Sequence, residues 1–104
     1  MKGKLDSAMA DYNMALSLNP NYPSAYANRG KCFFDLKKYK EAIVDLTLGI
    51  RNDPKNAEVR YTRSHAFKEL KNYFEAYQDA LESKKLGKAV EESYLDEVKK
   101  LAGQ

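Results

Sequence analysis

PSAYANRGKCFFDLKKYKEAIVDLTLGIRNDPKN, residues 23–56, runs directly into AEVRYTRSHAFKELKNYFEAYQDALESKKLGKAV, residues 57–90, and the two align without a gap at a period of 34. Eight of the first 32 aligned positions are identical, among them Arg29 with Arg63, Phe33 with Phe67, Leu36 with Leu70, Tyr39 with Tyr73, Glu41 with Glu75, Ala42 with Ala76 and Asp45 with Asp79. The same interval extends upstream, where Leu5, Ala8 and Asp11 stand one period before Tyr39, Ala42 and Asp45, and Pro20 one period before Pro54. The shared positions fall where a helical hairpin needs small and aromatic contacts. A period of this length marks a stacked-repeat architecture, in which each unit buries its apolar face only against its neighbours.

Helical spacing fills the repeat. Asp6 to Leu18 places Met9, Tyr12, Ala15 and Leu16 on one face, and Asn19-Pro20 stops it, because the residue before a proline is pushed out of the α region. Pro23 suits the first turn of a second helix, whose stripe is Tyr26, Gly30 and Phe33 and which ends near Lys37-Lys38. Tyr39 to Ile50 turns Ala42, Ile43, Leu46 and Ile50 inward before Asp53-Pro54. Asn56 is a side-chain cap for a fourth helix carrying Tyr61, Phe67 and Leu70. Tyr73 to Leu86 makes a fifth, with Gly87 as a left-handed terminator. Val90, Tyr94, Val98 and Leu101 mark a sixth, with early Glu91 and Glu92 and late Lys99 and Lys100 complementing its dipole. Short connections make successive helices antiparallel neighbours. Gly30 opposite Ala42, and Ser64 opposite Ala76, are the expected close crossings. The fold class is therefore all-α, and the 104 residues form one domain.

Composition narrows the function. Hydrophobic residues at 43% and charged residues at 32% are those of an ordinary globular chain. No apolar run approaches the roughly 20 residues of a membrane span, and the N-terminus has no secretory core. A net charge of +3 is too small and too interspersed for a nucleic-acid footprint. Asp35, Asp45, Glu58 and Glu69 interrupt any basic strip. Cys32 is the only cysteine, which excludes an intramolecular disulfide and a cysteine-built zinc site and fits a reducing, cytoplasmic setting.

These residues resemble the tetratricopeptide repeat (TPR) family. Residues 23–56 carry the family's signature as Tyr26, Gly30, Phe33, Tyr39, Ala42 and Pro54. Residues 57–90 depart from it at Arg60, Ser64 and Lys88. Residues 1–22 match the second helix of a preceding unit, and residues 91–104 read as a capping helix. The resemblance implies a helical-repeat superhelix of antiparallel hairpins, about two and a half units plus the cap. It also implies a concave groove that binds peptides, with Asn28, Lys31, Phe34, Tyr61, Thr62, His65 and Lys68 as its contact residues. By spacing alone the same stripe is a solvated helix face.

Tyr26-Ala27-Asn28-Arg29-Gly30 further resembles the TPR domains that clamp the acidic C-terminal tails of heat-shock chaperones. Those domains carry a Lys and an Arg at the places held here by Glu58 and Thr62, and a Lys and a second Asn on a helix preceding Asn28, which the chain lacks. A carboxylate tail is therefore expected to bind poorly. The readings left open are a protein-interaction scaffold, a TPR fragment of a larger co-chaperone, targeting protein or enzyme, and a self-associating structural module.

Chemistry has little to work with. Cys32 and His65 are the only nucleophile and base candidates, and Cys32 flanks the core stripe. No second His or Cys exists to complete a metal site, no glycine-rich phosphate loop is present, and no cofactor is expected. Arg29 and Arg63 recur at the period and read as an inter-repeat packing or ion-pair role before a functional one. Leu5, Ala8, Met9 and Tyr12 form an apolar strip on the first helix, where pairing with a second copy of the chain is the expected use.

Overall fold

The computed structural model describes residues 2–104, the side chains of Lys2 and Pro23 excepted. Six helices follow one another: α1 (Lys2–Leu18), α2 (Pro23–Asp35), α3 (Tyr39–Asn52), α4 (Ala57–Glu69), α5 (Tyr73–Lys85) and α6 (Glu92–Leu101). No strand occurs among the described residues. Each helix packs on its sequence neighbour, and α2 also touches α4, giving an elongated stack of 43 × 27 × 19 Å. Helix α1 starts a turn earlier than its apolar spacing predicts.

The identical residues of the two repeats are the ones that close the hairpins. Arg29 donates from Nε to Asp45 Oδ2 at 2.6 Å and from Nη2 to Oδ1 at 2.9 Å, while its Nη1 reaches back to Asn13 Oδ1 at 2.9 Å. One repeat later Arg63 holds Asp79 at 2.7 and 2.8 Å and reaches Thr47 Oγ1 at 3.0 Å. One planar fork thus ties a hairpin shut and fastens it to the helix before.

Close approach needs small residues at the crossings. A Cβ on Gly30 would sit 2.9 Å from Leu46 Cγ, and one on Gly49 would sit 3.2 Å from Ala27 Cβ. Gly30 therefore meets Leu46, one turn beyond the expected Ala42. In an antiparallel pair the partner's number falls as the residue's rises, so Ala27 with Gly49 puts Gly30 beside Leu46. Ala42 lies further along, in the cluster of Leu46, Ile50 and Val59 on which Phe33 and Phe34 pack. In the second hairpin serines take both glycine places and add hydrogen bonds across the crossing: Ser64 Oγ donates to the Ala76 carbonyl at 2.6 Å and Ser83 Oγ to the Ala57 carbonyl at 2.7 Å. The Ser64–Ala76 crossing stands as expected.

Helices α2 and α4 end alike. Lys37 and Lys71 take the left-handed conformation, with φ of 62° and 64°. Lys38 N–H then bonds the Phe33 carbonyl at 2.8 Å, and Asn72 N–H the Phe67 carbonyl at 2.9 Å. Gly87 (φ 105°) ends α5 in the same way. Lysine accepts this conformation at a cost that glycine avoids. Lys71→Gly is expected to raise stability by about 1 kcal/mol in urea titration. Ala42 is fully buried and Ala10 exposed, so Ala42→Leu is expected to lose about 1–3 kcal/mol by overpacking. Ala10→Leu should leave the melting temperature unchanged, and equal melting temperatures for the two variants would refute the assigned packing.

Candidate functional site

Ser24, Ala27, Asn28 and Lys31 recur at helical spacing and share the inner stripe of α2, as Glu58, Val59 and Thr62 do on α4. The two stripes enclose a groove of about 590 Å³, floored by Leu46 and Gly49 of α3, with Asn52 at the end of that helix and Asp53 and Asn56 beyond it. The volume suits several residues of an extended chain. Gly49 matters twice here: it lets α2 and α3 approach, and it leaves backbone rather than side chain in the floor. Asn56 accepts from Val59 N–H at 3.2 Å and so starts α4 beside the groove.

The rim is polar and mixed in charge. Asn28 and Lys31 are exposed. Thr62 turns its hydroxyl back to the Glu58 carbonyl at 3.1 Å. Glu58 pairs with Lys88 at 2.7 Å, so its negative charge is already met by this chain's own ammonium.

The expected contact residues divide between two places. Asn28, Lys31 and Thr62 line the groove. Phe34 lies instead against the first core cluster and edge-on to Tyr39, with ring centroids 5.5 Å apart. Tyr61, His65 and Lys68 lie against α6. The His65 ring stacks on Tyr94 at 4.3 Å, Tyr61 meets both rings edge-on, and Lys68 sits 5.6 Å over Tyr94 while pairing with Glu97 at 3.0 Å. Ser64 has spent its proton on the Ala76 carbonyl, so the Tyr94 hydroxyl is the donor in their 2.9 Å contact. Burial pushes the Tyr94 phenol up to about 12. The groove residues that sequence reading missed are Leu46, Gly49, Asn52, Asp53, Asn56 and Val59. The period already signals Gly49, because Ser83 is its small counterpart.

Cys32 is buried in α2, and that burial raises its thiol pKa. Among the described residues no group of His, Cys, Asp or Glu is placed to hold a metal ion, and no helix is long and apolar enough to cross a membrane. Leu5, Ala8, Met9 and Tyr12 are half-buried, with α1 leaning on α2. A hollow on α5 is lined by that helix alone and lacks a facing wall.

Known proteins share this arrangement. A family model described as TPR repeat matches residues 1–37, and one described as Tetratricopeptide repeat matches residues 23–56. The Small glutamine-rich tetratricopeptide repeat-containing protein 2 of Mycosarcoma maydis is 32% identical over 79 residues, covering 73% of this chain and 22% of its own length. The Arabidopsis OM64 TPR domain superposes with a TM-score of 0.86 at 28% identity, over 95% of this chain and 84% of that one. The first TPR of Spaghetti (RPAP3), bound to the HSP90 peptide SRMEEVD, superposes at 0.88 with 23% identity, over 99% and 83%. The chain spans between 8% and 22% of the length of the curated relatives it matches.

His65 carries a pH dependence. Burial, then the neighbouring Lys68 ammonium, hold its imidazole below the ordinary 6.5, with Glu69 and Glu97 pulling the other way. The neutral ring's contribution is complete above the unfolded pKa and is lost as pH falls through that value toward the folded one. Taking the protein from about pH 7.5 to about 5.5 should lower the melting temperature of wild type more than that of His65→Gln. Equal losses would show that His65 is not titrating in this packing.

Proposed function

We propose that this chain, which belongs to the tetratricopeptide-repeat family, is a protein-interaction module holding an extended peptide segment in the groove between α2 and α4. The observation that carries this reading is the groove itself. It combines an apolar floor of Ala27, Leu46, Gly49 and Val59 with a rim of exposed Asn28 and Lys31. The side-chain amide of Asn28 both donates and accepts, as a peptide backbone requires, and Lys31 offers a cation to an acidic residue. The HSP90 peptide in the Spaghetti structure supports a peptide as the ligand class. The module binds without catalysis, and its single buried cysteine fits the cytoplasm. The longer relatives support its acting as one part of a larger co-chaperone or targeting protein.

A second reading is pairing of two copies through α1. It rests on Met14 and Leu18, which are 62% and 80% exposed beside the half-buried Leu5, Ala8, Met9 and Tyr12. Light scattering over a concentration series that shows only monomer, unchanged by Met9→Lys, would remove it.

Peptides recovered by display against the whole chain should bind Asn28→Ala and Lys31→Ala about tenfold more weakly, the size of a lost neutral hydrogen bond at its upper end for Asn28 and of a charge-assisted one for Lys31. Lys40→Ala, outside the groove, should bind as wild type does. Undiminished binding to both groove variants would overturn the assignment. The acidic peptide SRMEEVD is expected to bind no better than its scrambled sequence, because Glu58 and Thr62 supply no cation. Calorimetry showing tight binding that is lost on Asn28→Ala would contradict this, while Glu58→Lys with Thr62→Arg should raise the affinity.

A further inference from the structure

The groove between α2 and α4 carries its charges at opposite ends. All of its lining residues lie between Ser24 and Thr62, on α2, α3, α4 and the connection between the last two. Its charged members are Lys31, Asp53 and Glu58. The register of the first hairpin fixes where they stand. Gly30 meets Leu46 and Gly49 meets Ala27, and continuing that antiparallel register brings Asp53 level with Pro23, the first residue of α2. Lys31 comes eight positions after Pro23, about 12 Å further along the helix axis.

Only one charge at each end is free. Glu58, in the first turn of α4, shares the Asp53 end, but Lys88 holds it at 2.7 Å. Neither Asp53 nor Lys31 forms an ion pair among the described residues, and both are exposed. Arg51 and Lys55, which flank Asp53 in the chain, are exposed and do not line the groove. The groove therefore offers a carboxylate and an ammonium about 12 Å apart, over an apolar floor of Ala27, Leu46, Gly49 and Val59. An extended chain advances about 3.3 Å per residue and turns alternate side chains to one face. Residues i, i+2 and i+4 thus face the floor together, and the outer two stand about 13 Å apart. A residue at i+3 would point away.

We propose, resting on the groove reading above, that the groove selects an extended segment with a basic and an acidic residue four positions apart. The basic residue lies on Asp53, the acidic one on Lys31, and an apolar residue midway between them on the floor. The peptide SRMEEVD has valine four places after its arginine, so it lacks this pair.

The test uses the acetylated, amidated peptides RSLSE and ESLSR, which carry the pattern in the two chain directions. Amide-resonance titration of the whole chain should show saturable shifts at Asn28, Lys31, Asp53 and Asn56, and the tighter peptide is taken further. Replacing its arginine by citrulline should weaken binding about fivefold, the upper end for an exposed ion pair, in wild type and not in Asp53→Asn. Replacing its glutamate by glutamine should cost as much in wild type and nothing in Lys31→Ala. One extra serine beside the leucine, which turns one charge to the opposite face, should cost the same. The circular dichroism melt of Asp53→Asn should match that of wild type. A citrulline penalty that persists in Asp53→Asn, or undiminished binding of the lengthened peptide, would overturn the charge order. The groove reading is tested separately. If displayed peptides need Asn28 and Lys31 while neither RSLSE nor ESLSR shifts the groove, the charge order fails and the groove stands. If every peptide, displayed ones included, shifts only residues outside the groove, the groove reading itself fails and the charge order with it.

Discussion

A carboxylate with almost no access to water is tolerable only when a cation and hydrogen bonds replace the solvent it has lost, and both hairpins are arranged around that requirement. Asp45 and Asp79 sit midway along the second helices of their hairpins, each held by the arginine that stands 16 residues earlier. Removing one partner of such a pair leaves a buried charge uncompensated and costs about 3–5 kcal/mol. The geometry is demanding, since the Nε–Nη2 edge of the guanidinium must lie in the carboxylate plane, so the fork also sets the rotation of α2 on α3 and of α4 on α5. Small residues at Gly30, Gly49, Ser64 and Ser83 follow from it. Helices held that close admit no larger side chain at the crossing unless something shifts.

Much of this was legible in the residues. The period, the proline stops and the recurring Arg and Asp define the hairpins, and every helix appears where its apolar spacing predicts, with α1 longer by a turn. What periodicity could not show is which neighbour covers a given stripe. Phe34 follows Asn28 and Lys31 along α2, and Tyr61, His65 and Lys68 stand beside Thr62 on α4, yet the core takes Phe34 and α6 takes the other three. A helical stripe fixes a direction around one axis, whereas the distance to the next helix depends on its tilt. The Gly30 pairing was misjudged for a related reason. The spacing of small residues names the crossing, but the antiparallel register that decides its partner comes from the turn between the helices.

Lys37 and Lys71 show how a repeat can keep a residue for reasons that pattern reading passes over. Both are lysines in a backbone conformation that favours glycine. Their backbone N–H groups close the last turns of α2 and α4 at 2.9 Å, so the backbone at these sites does structural work while the side chains are exposed.

The two repeats divide their residues between fold and function along one line. Arg, Phe, Leu, Lys, Tyr, Glu, Ala and Asp are identical at the eight matching positions, and none of those sixteen residues lines the large groove. The groove is built from positions where the repeats differ: Asn28 against Thr62, Gly49 against Ser83, Lys31 against His65. Identity marks what every hairpin needs in order to close. Difference marks where a ligand can distinguish one unit from the next.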